Sequence, residues 1–365
     1  MSALPSLTIR AIRSRAVSPP MRNALGTSAA RMTHAPFILI DLETEEGVTG
    51  RAHVFCYMEL AAPSICRVID KAAEGLIGRA VIPAEIENIL HTNFRLLGLP
   101  GTIGMALSGI DVACWDALAR AANLPLARLL GADRDQIPTY NSNGLGLGDP
   151  DALGEEALSL QAAGFNSVKI RLGRATADDD LRAVQNVRSA IGPTALLMAD
   201  YNQALTVDDA IVRGKSLEDQ ELAWIEEPIA HDDLPGNARV AATLETPIQI
   251  GENFHGPNAM ENAIALNASD YMMPDLMRIG GVSGWLRAAT MADRAGIPLS
   301  SHLYPEVSVH LLAASPTAHW LEYVDWAAPF LQQGITVENG MARVPDAPGA
   351  GGVWDEDAVS AFALA

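Results

Sequence analysis

The chain has 365 residues, 25 Lys plus Arg against 44 Asp plus Glu, a formal net charge of −19, 49% hydrophobic residues and a mean hydropathy of +0.13. That length exceeds one small core and suits a barrel of about 250 residues with a second domain. The acidic balance repels phosphate backbones and anionic lipid, which excludes nucleic acid and membrane surfaces as expected partners, and no stretch reads as long and uncharged enough to span a bilayer.

At the N-terminus, MSALPSLTIRAIRSRAV alternates like a strand and lacks the apolar run of a signal peptide. Residues Leu7 to Val17, Phe37 to Glu43 and Val48 to His53 predict a small antiparallel sheet, the last two strands turning at Glu45-Glu46-Gly47. Between them PPMRNALGTSAARMTHAP, about residues 18–35, reads as a loop long enough to be a lid, with a surface loop as the alternative. From Ala61 to Leu130 the apolar spacing turns helical and stops at Asn123-Leu124-Pro125. Asp111 and Asp116 on these helices read as structural or solvated acids. Cys56, Cys66 and Cys114 are odd in number and lie among apolar residues, so free thiols and a reducing cytoplasm are expected.

Gly131-Ala132-Asp133 is the best linker, dividing an α+β domain at 1–131 from the rest of the chain. Strand candidates then recur at Ile137–Asn141, Val168–Leu172, Ala195–Asp200, Leu222–Glu226, Ile248–Glu252, Tyr271–Asp275, Leu299–His302 and Trp320–Tyr323, with amphipathic segments between them. Thr176 with Asp179 and Thr206 with Asp209 look like capping boxes, and Gly192 and Gly296 stand where helices end. This alternation predicts an α/β barrel over 132–325. Residues 326–365 hold a hairpin signal at Glu338-Asn339-Gly340 and are expected to return to the first domain.

Three consecutive barrel strands end on acids: Asp200, Glu226 with Glu227, and Glu252. Taken singly, each is as well explained by solvation or helix capping. In a parallel barrel, however, the strand C-termini open on one face, and three converging carboxylates repel one another unless a cation lies between them. Oxygen ligands suit Mg²⁺, or Mn²⁺ in its place. Lys169 and Arg171, two apart on one strand, share a face beside these acids, as expected if an anionic substrate docks at a metal. Asp275 and His302 end the sixth and seventh strands, and a carboxylate on one imidazole nitrogen fixes the tautomer a general base needs. Glu322 ends the eighth. Protonated, it could donate to a developing oxyanion; ionised, it would oppose enolate formation.

With SGIDVACWDALAR, ADYNQ, WIEEP, GENFHGP, MPDLMRIGGVSGW, SSHLYPE and AASPTAHWLE in this order, the chain resembles the mandelate racemase branch of the enolase superfamily over nearly its whole length. The resemblance implies a modified TIM barrel, (β/α)₇β, capped by the N-terminal α+β domain and the C-terminal segment. It implies Asp200, Glu226 and Glu252 as Mg²⁺ ligands, Asp275 and His302 as the base dyad, Glu322 as the acid facing the substrate carboxylate, and Asn202 and Ser142 as substrate contacts. Lys169 matches the first lysine of the family's Lys-x-Lys. Arg171 departs from the second, which is the base for one stereochemical face, because a guanidinium stays protonated in proteins. A fixed cation holding the substrate carboxylate is the alternative role.

Arg22, Asn23 and Arg31 make the lid polar, with Arg22 a candidate substrate contact, so a hydroxylated or dicarboxylate substrate is expected. The expected reaction is Mg²⁺-assisted abstraction of the α-proton of a 2-hydroxycarboxylate by His302 to an enediolate. Dehydration of an acid sugar or hydroxy-diacid leads, with His302 returning the proton to the departing hydroxide. The alternatives are a racemase or epimerase and, in another class, a barrel that binds metal and carboxylate without catalysis. A homo-oligomer is expected by analogy with the family.

Overall fold

The computed structural model describes residues 5–364. Strands β1 (Ile9–Val17), β4 (Phe37–Thr44) and β5 (Thr49–Phe55) form an antiparallel sheet in the order β1-β4-β5. Helices α1 (Ala62–Glu74), α2 (Pro83–Phe94), α3 (Thr102–Ala121) and α4 (Leu126–Leu129) come next in the chain. The sheet and α3 approach closely at Gly50, where an added Cβ would lie 2.0 Å from the Ala113 carbonyl oxygen. By length and composition α3 could cross a membrane, contrary to the reading of the sequence, but 78% of its apolar window is buried in the core. Its apolar content is explained by contact on nearly all sides.

Residues 18–35 differ from expectation. They form a hairpin of β2 (Pro20–Gly26) and β3 (Arg31–His34), with partners Pro20↔His34, Leu25↔Met32 and Gly26↔Arg31 and a register irregularity between. Only Leu25 of the hairpin is buried and Asn23 takes an inward position, so the sequence lacks the apolar alternation of a half-buried strand and looks like loop.

The barrel runs β6 (Gln136–Asn141), β7 (Ser167–Arg171), β8 (Leu196–Asp200), β9 (Ile225–Glu226), β10 (Ile248–Ile250) and β11 (Tyr271–Met272), each parallel to the next, and β12 (Leu321–Tyr323) closes onto β6. Between them lie α5 (Leu153–Ala162), α6 (Ala177–Ile191), α7 (Val207–Leu217), α8 (Leu234–Ala241), α9 (Pro257–Ala265), α10 (Leu276–Ile279), α11 (Gly281–Ala295) and α12 (Pro305–Ala314). Leu299–His302 is not a regular strand. It makes single parallel bridges, Met272↔Leu299, Asp275↔His302 and Leu299↔Ala318, and its amides donate alternately left and right, Ser300 to Met272 and Ser301 to Trp320. The residues still do a strand's work of closing the ring. Thr176 and Thr206 cap α6 and α7, each hydroxyl accepting from an Asp amide and donating to that Asp carboxylate at 2.7 Å. Each such cap is worth about 1 kcal/mol.

The hairpin β13 (Val337–Glu338) and β14 (Met341–Arg343) adds antiparallel to β6, and α13 (Glu356–Ala361) ends the fold. The chain's end lies on the cap: Ser18 donates to the Phe362 carbonyl and Leu364 to Ala16. Fully buried Asp116 accepts from the amides of Arg51 and Ala350 and from the Arg120 guanidinium. Asp111 joins cap to barrel, accepting from the Ser283 amide at 2.9 Å and hydroxyl at 2.6 Å. Gly281 permits this approach: its φ is +68°, and a Cβ there would sit 2.5 Å from an Asp111 oxygen. Both acids are structural, as the sequence suggests.

Burial pushes the Asp111 carboxyl from an ordinary 3.8 up to about 7, against the hydrogen bonds from Ser283. The folded state therefore holds a proton there that the unfolded chain has released, and this group's contribution to stability falls as pH rises from about 4 through 7. Asp111→Asn keeps an acceptor for Ser283 without the charge. Thermal unfolding should show the variant gaining on the parent as pH rises from about 4 to 8.5; a pH-independent difference would contradict the assignment.

Candidate active site

Parallel register brings the acidic strand ends together. Asp200 pairs across from Glu226 and from Arg171, and Glu226 from Gln249. One oxygen from each of Asp200, Glu226 and Glu252 lies within 4.8 Å of the others. Asp200 and Glu226 are buried, as is Glu227, whose carboxylate accepts from Asn253 Nδ2 at 2.8 Å and leaves Oε1 with no partner. Burial pushes Glu226 above the usual carboxylate range against the pull of Lys169, and Glu227 rises too, by burial and then by the charges of Glu252 and Asp200. An oxygen-only donor set this crowded fits a hard divalent cation such as Mg²⁺ or Mn²⁺.

Lys169 is 1% exposed, with Nζ 2.5 Å from Glu226, 2.7 Å from Glu322 and 3.5 Å from Asp200. Burial works against its charge, but Glu226, Glu322 and Asp200 outweigh it and hold the ammonium protonated. Glu322 also accepts from Ser142 Oγ at 2.7 Å and from the Leu303 amide at 2.9 Å. Burial raises its pKa, yet Lys169 and His302 prevail and keep it ionised, well below the ordinary range. In this arrangement Lys169 and His302 favour the ionised form of Glu322.

His302 Nδ1 lies 2.8 Å from Asp275 Oδ2, while Asp275 Oδ1 caps α10 by accepting from the amides of Met277 and Arg278. The cap fixes the carboxylate and the carboxylate fixes the ring. His302 Nε2 faces Glu252 at 3.3 Å and Glu322 at 3.9 Å. Burial lowers its pKa, but Glu252, Asp275 and Glu322 raise it further, to about 9. A cation on Glu252 would remove part of that field and return the imidazole toward neutrality.

Arg171 is buried and turned to its own scaffold. Nη1 donates to the carbonyls of Ser142 at 2.6 Å and Gly144 at 3.2 Å, and Nη2 to Ser142 Oγ at 2.8 Å. It holds the loop after β6 and aims the Ser142 hydroxyl at Glu322. Asn202 donates from its amide and Nδ2 to the two oxygens of Asp200, at 2.8 and 3.0 Å, and its own Oδ1 is buried without a partner. The tip of the β2–β3 hairpin reaches this loop: Ser28 Oγ lies 3.1 Å from the Tyr201 carbonyl and 3.0 Å from that of Asn202. Arg22 does not join the cluster, being 82% exposed and 3.7 Å from Asp325.

Three participants lie outside the residues singled out from sequence. Asn253 bridges Glu227 and Glu252, and Arg278 donates to the Glu252 carbonyl at 2.9 Å and to Asn253 Oδ1 at 2.7 Å. Tyr57, from the cap, lies under the Arg278 guanidinium with its ring centre 4.6 Å away. Arg278 had a local signal, three residues beyond Asp275 in a helix-capping turn. Tyr57 had none.

Comparison with known proteins places this geometry. Residues 9–131 match the model for the mandelate racemase / muconate lactonizing enzyme N-terminal domain, and residues 152–358 that for the enolase C-terminal domain-like family. The chain is 34% identical to the L-talarate/galactarate dehydratase of Salmonella typhimurium over 333 residues, 90% of this chain and 82% of that protein. Among solved structures, a Bradyrhizobium enolase with magnesium and mandelic acid superposes with a TM-score of 0.94 at 38% identity, covering 100% of both chains. An enolase with bound magnesium from the alphaproteobacterial strain bal199 reaches 0.96 at 42% identity, covering 98% of this chain and 100% of that one. The chain belongs to the mandelate racemase / muconate lactonizing enzyme family of the enolase superfamily.

Proposed function

We propose that this enzyme abstracts the α-proton of a 2-hydroxycarboxylate and eliminates the β-hydroxyl, dehydrating an acid sugar or hydroxy-diacid to a 2-keto acid. Asp200, Glu226 and Glu252 would hold Mg²⁺, which when bound supplies Lewis-acid stabilisation of charge developing on the substrate carboxylate. His302, oriented by Asp275, takes the α-proton at Nε2 and afterwards returns it to the departing hydroxide. Lys169 places its ammonium against the carboxylate of the substrate. That carboxylate competes with Glu322 for Lys169, so Glu322 loses the partner that keeps it ionised and can take up a proton to donate to the enediolate. Ser142 and Asn202 complete the polar wall around the carboxylate. Burial of these groups excludes water and strengthens each interaction.

The observation that carries the one-base reading is the commitment of Arg171. Its Nη atoms donate to Ser142 and Gly144 while its buried Nε has no partner, so it buttresses the loop after β6 and, as a guanidinium that stays protonated, does not serve as the second base. Elimination needs a single base; racemisation needs a proton delivered from each face. The dehydratase relative at 34% identity supports the same choice. Racemisation or epimerisation is the second reading, favoured by the mandelic acid bound in the Bradyrhizobium structure. Action in the cytoplasm agrees with the three free cysteines, and a homo-oligomer with the family.

Mn²⁺ titration monitored by electron paramagnetic resonance should find a site that Glu226→Gln weakens by about tenfold or more; equal affinity in the variant would remove Glu226 from the metal set. With Mg²⁺ and a panel of acid sugars, at least one member should give a 2-keto product. His302→Asn should slow that reaction by about 10²- to 10⁴-fold with Mn²⁺ affinity retained. No keto product from any member, with racemisation of an aryl hydroxy acid instead, would overturn the dehydratase reading.

A further inference from the structure

A cavity of about 550 Å³ lies on the seam between cap and barrel, apart from the acid cluster. Helices α2 and α3 supply Ile86, Leu90 and Leu107, and the barrel supplies Ile279 and Met291, so the body of the cavity is apolar. Its size falls in the range that takes small organic molecules.

The polar residues of the wall are unequally engaged. Glu87 is paired with Arg287 through two bonds, at 2.9 and 2.5 Å. Asp111 accepts twice from Ser283, and burial pulls its carboxyl up to about 7, so much of its charge is absent near neutrality. Arg278, 13% exposed, uses only Nη1, toward Glu252 and Asn253. Among the described residues its Nε and Nη2 hydrogens have no acceptor within hydrogen-bonding distance. Glu87 and Arg287 cancel each other, and the remaining cation of the wall is Arg278, whose Nη1 lies 3.8 Å from the Glu252 carboxylate while Nε and Nη2 stay uncommitted. An unspent guanidinium at the edge of an apolar chamber calls for a carboxylate on a hydrocarbon body.

We propose that this interdomain cavity binds an apolar monocarboxylate, with its hydrocarbon body among Ile86, Leu90, Leu107 and Met291 and its carboxylate on Arg278. The site has a route to the reaction centre, because the same guanidinium holds the Glu252 carbonyl and Asn253, and Asn253 in turn touches Glu252 and Glu227. A carboxylate that draws Arg278 toward the cavity shifts those contacts. This coupling, unlike the binding, rests on the proposed metal role of Glu252.

The test uses the full-length Mg²⁺-loaded protein, with octanoate as probe and octylamine as its cationic counterpart, measured by calorimetry and ligand-observed NMR. Octanoate should bind saturably in the millimolar range expected for so small a ligand, and octylamine should not. Ala84→Trp on α2 and Met291→Trp on α11 fill the cavity from separate helices, so misfolding of one leaves the other informative. Each should weaken octanoate about tenfold or more while turnover without octanoate is unchanged. In the parent enzyme, octanoate should alter kcat about fivefold or more without competing with substrate. Octanoate binding that survives both fillings, or inhibition that is purely competitive, overturns the site. Binding lost in both variants while turnover ignores octanoate supports the site and overturns the coupling. The binding results stand whichever reaction the enzyme catalyses.

Discussion

Everything at the centre of this molecule depends on packing like charges where water cannot screen them. Asp200, Glu226, Glu227 and Glu322 are each no more than 1% exposed, and Glu252 stands beside them. Burying one unpaired carboxylate costs several kcal/mol, so a set of them persists only with compensating cations and donors. Lys169 supplies one such cation and touches three of the acids. The rest of the compensation is what a divalent ion would provide among Asp200, Glu226 and Glu252.

Around that centre, side chains that hold other side chains do most of the positioning. Asp275 serves as helix cap and imidazole orienter with separate oxygens. Arg171 grips the carbonyls that shape the loop after β6 and so directs Ser142 at Glu322. Asn202 fixes both oxygens of Asp200, and the lid reaches the same loop through Ser28. The β2–β3 hairpin and the acid cluster are thus parts of one hydrogen-bonded structure. The cap contributes twice more, through Tyr57 beneath Arg278 and through Asp111 on Ser283. Access, metal geometry and the interdomain seam therefore bear on one another.

Much of this was legible in the chain because barrel strands repeat one message. Apolar runs ending in Asp200 and Glu226 predict where strands stop, and parallel register brings Glu252, two residues beyond β10, to the same place. Asp275 and His302 were legible for the same reason, even though Leu299–His302 forms bridges rather than a regular strand. The β2–β3 hairpin was not, because it is largely exposed and buries only Leu25, so no apolar alternation marks its strands. The membrane-like composition of α3 shows the limit in the other direction: an apolar helix reports burial without saying in what. Arg22 stands exposed beside Asp325, outside the acid cluster, where residue type alone gave no position. Arg278 and Tyr57 matter through a contact between distant segments, which no local pattern encodes.

Arg171 is where chemistry and fold meet most sharply. A lysine there could release its proton and become a base; a guanidinium tied to two carbonyls and a hydroxyl cannot, and its place in the scaffold explains why it is tolerated. The central claim is that one imidazole alone handles the α-proton. It is tested most directly by incubating each α-epimer of a turned-over hydroxy acid with the enzyme and Mg²⁺ in D₂O and monitoring the α-proton by NMR. Exchange or loss of that proton is expected from one configuration only, and is abolished in His302→Asn. Exchange from both configurations at comparable rates would contradict it.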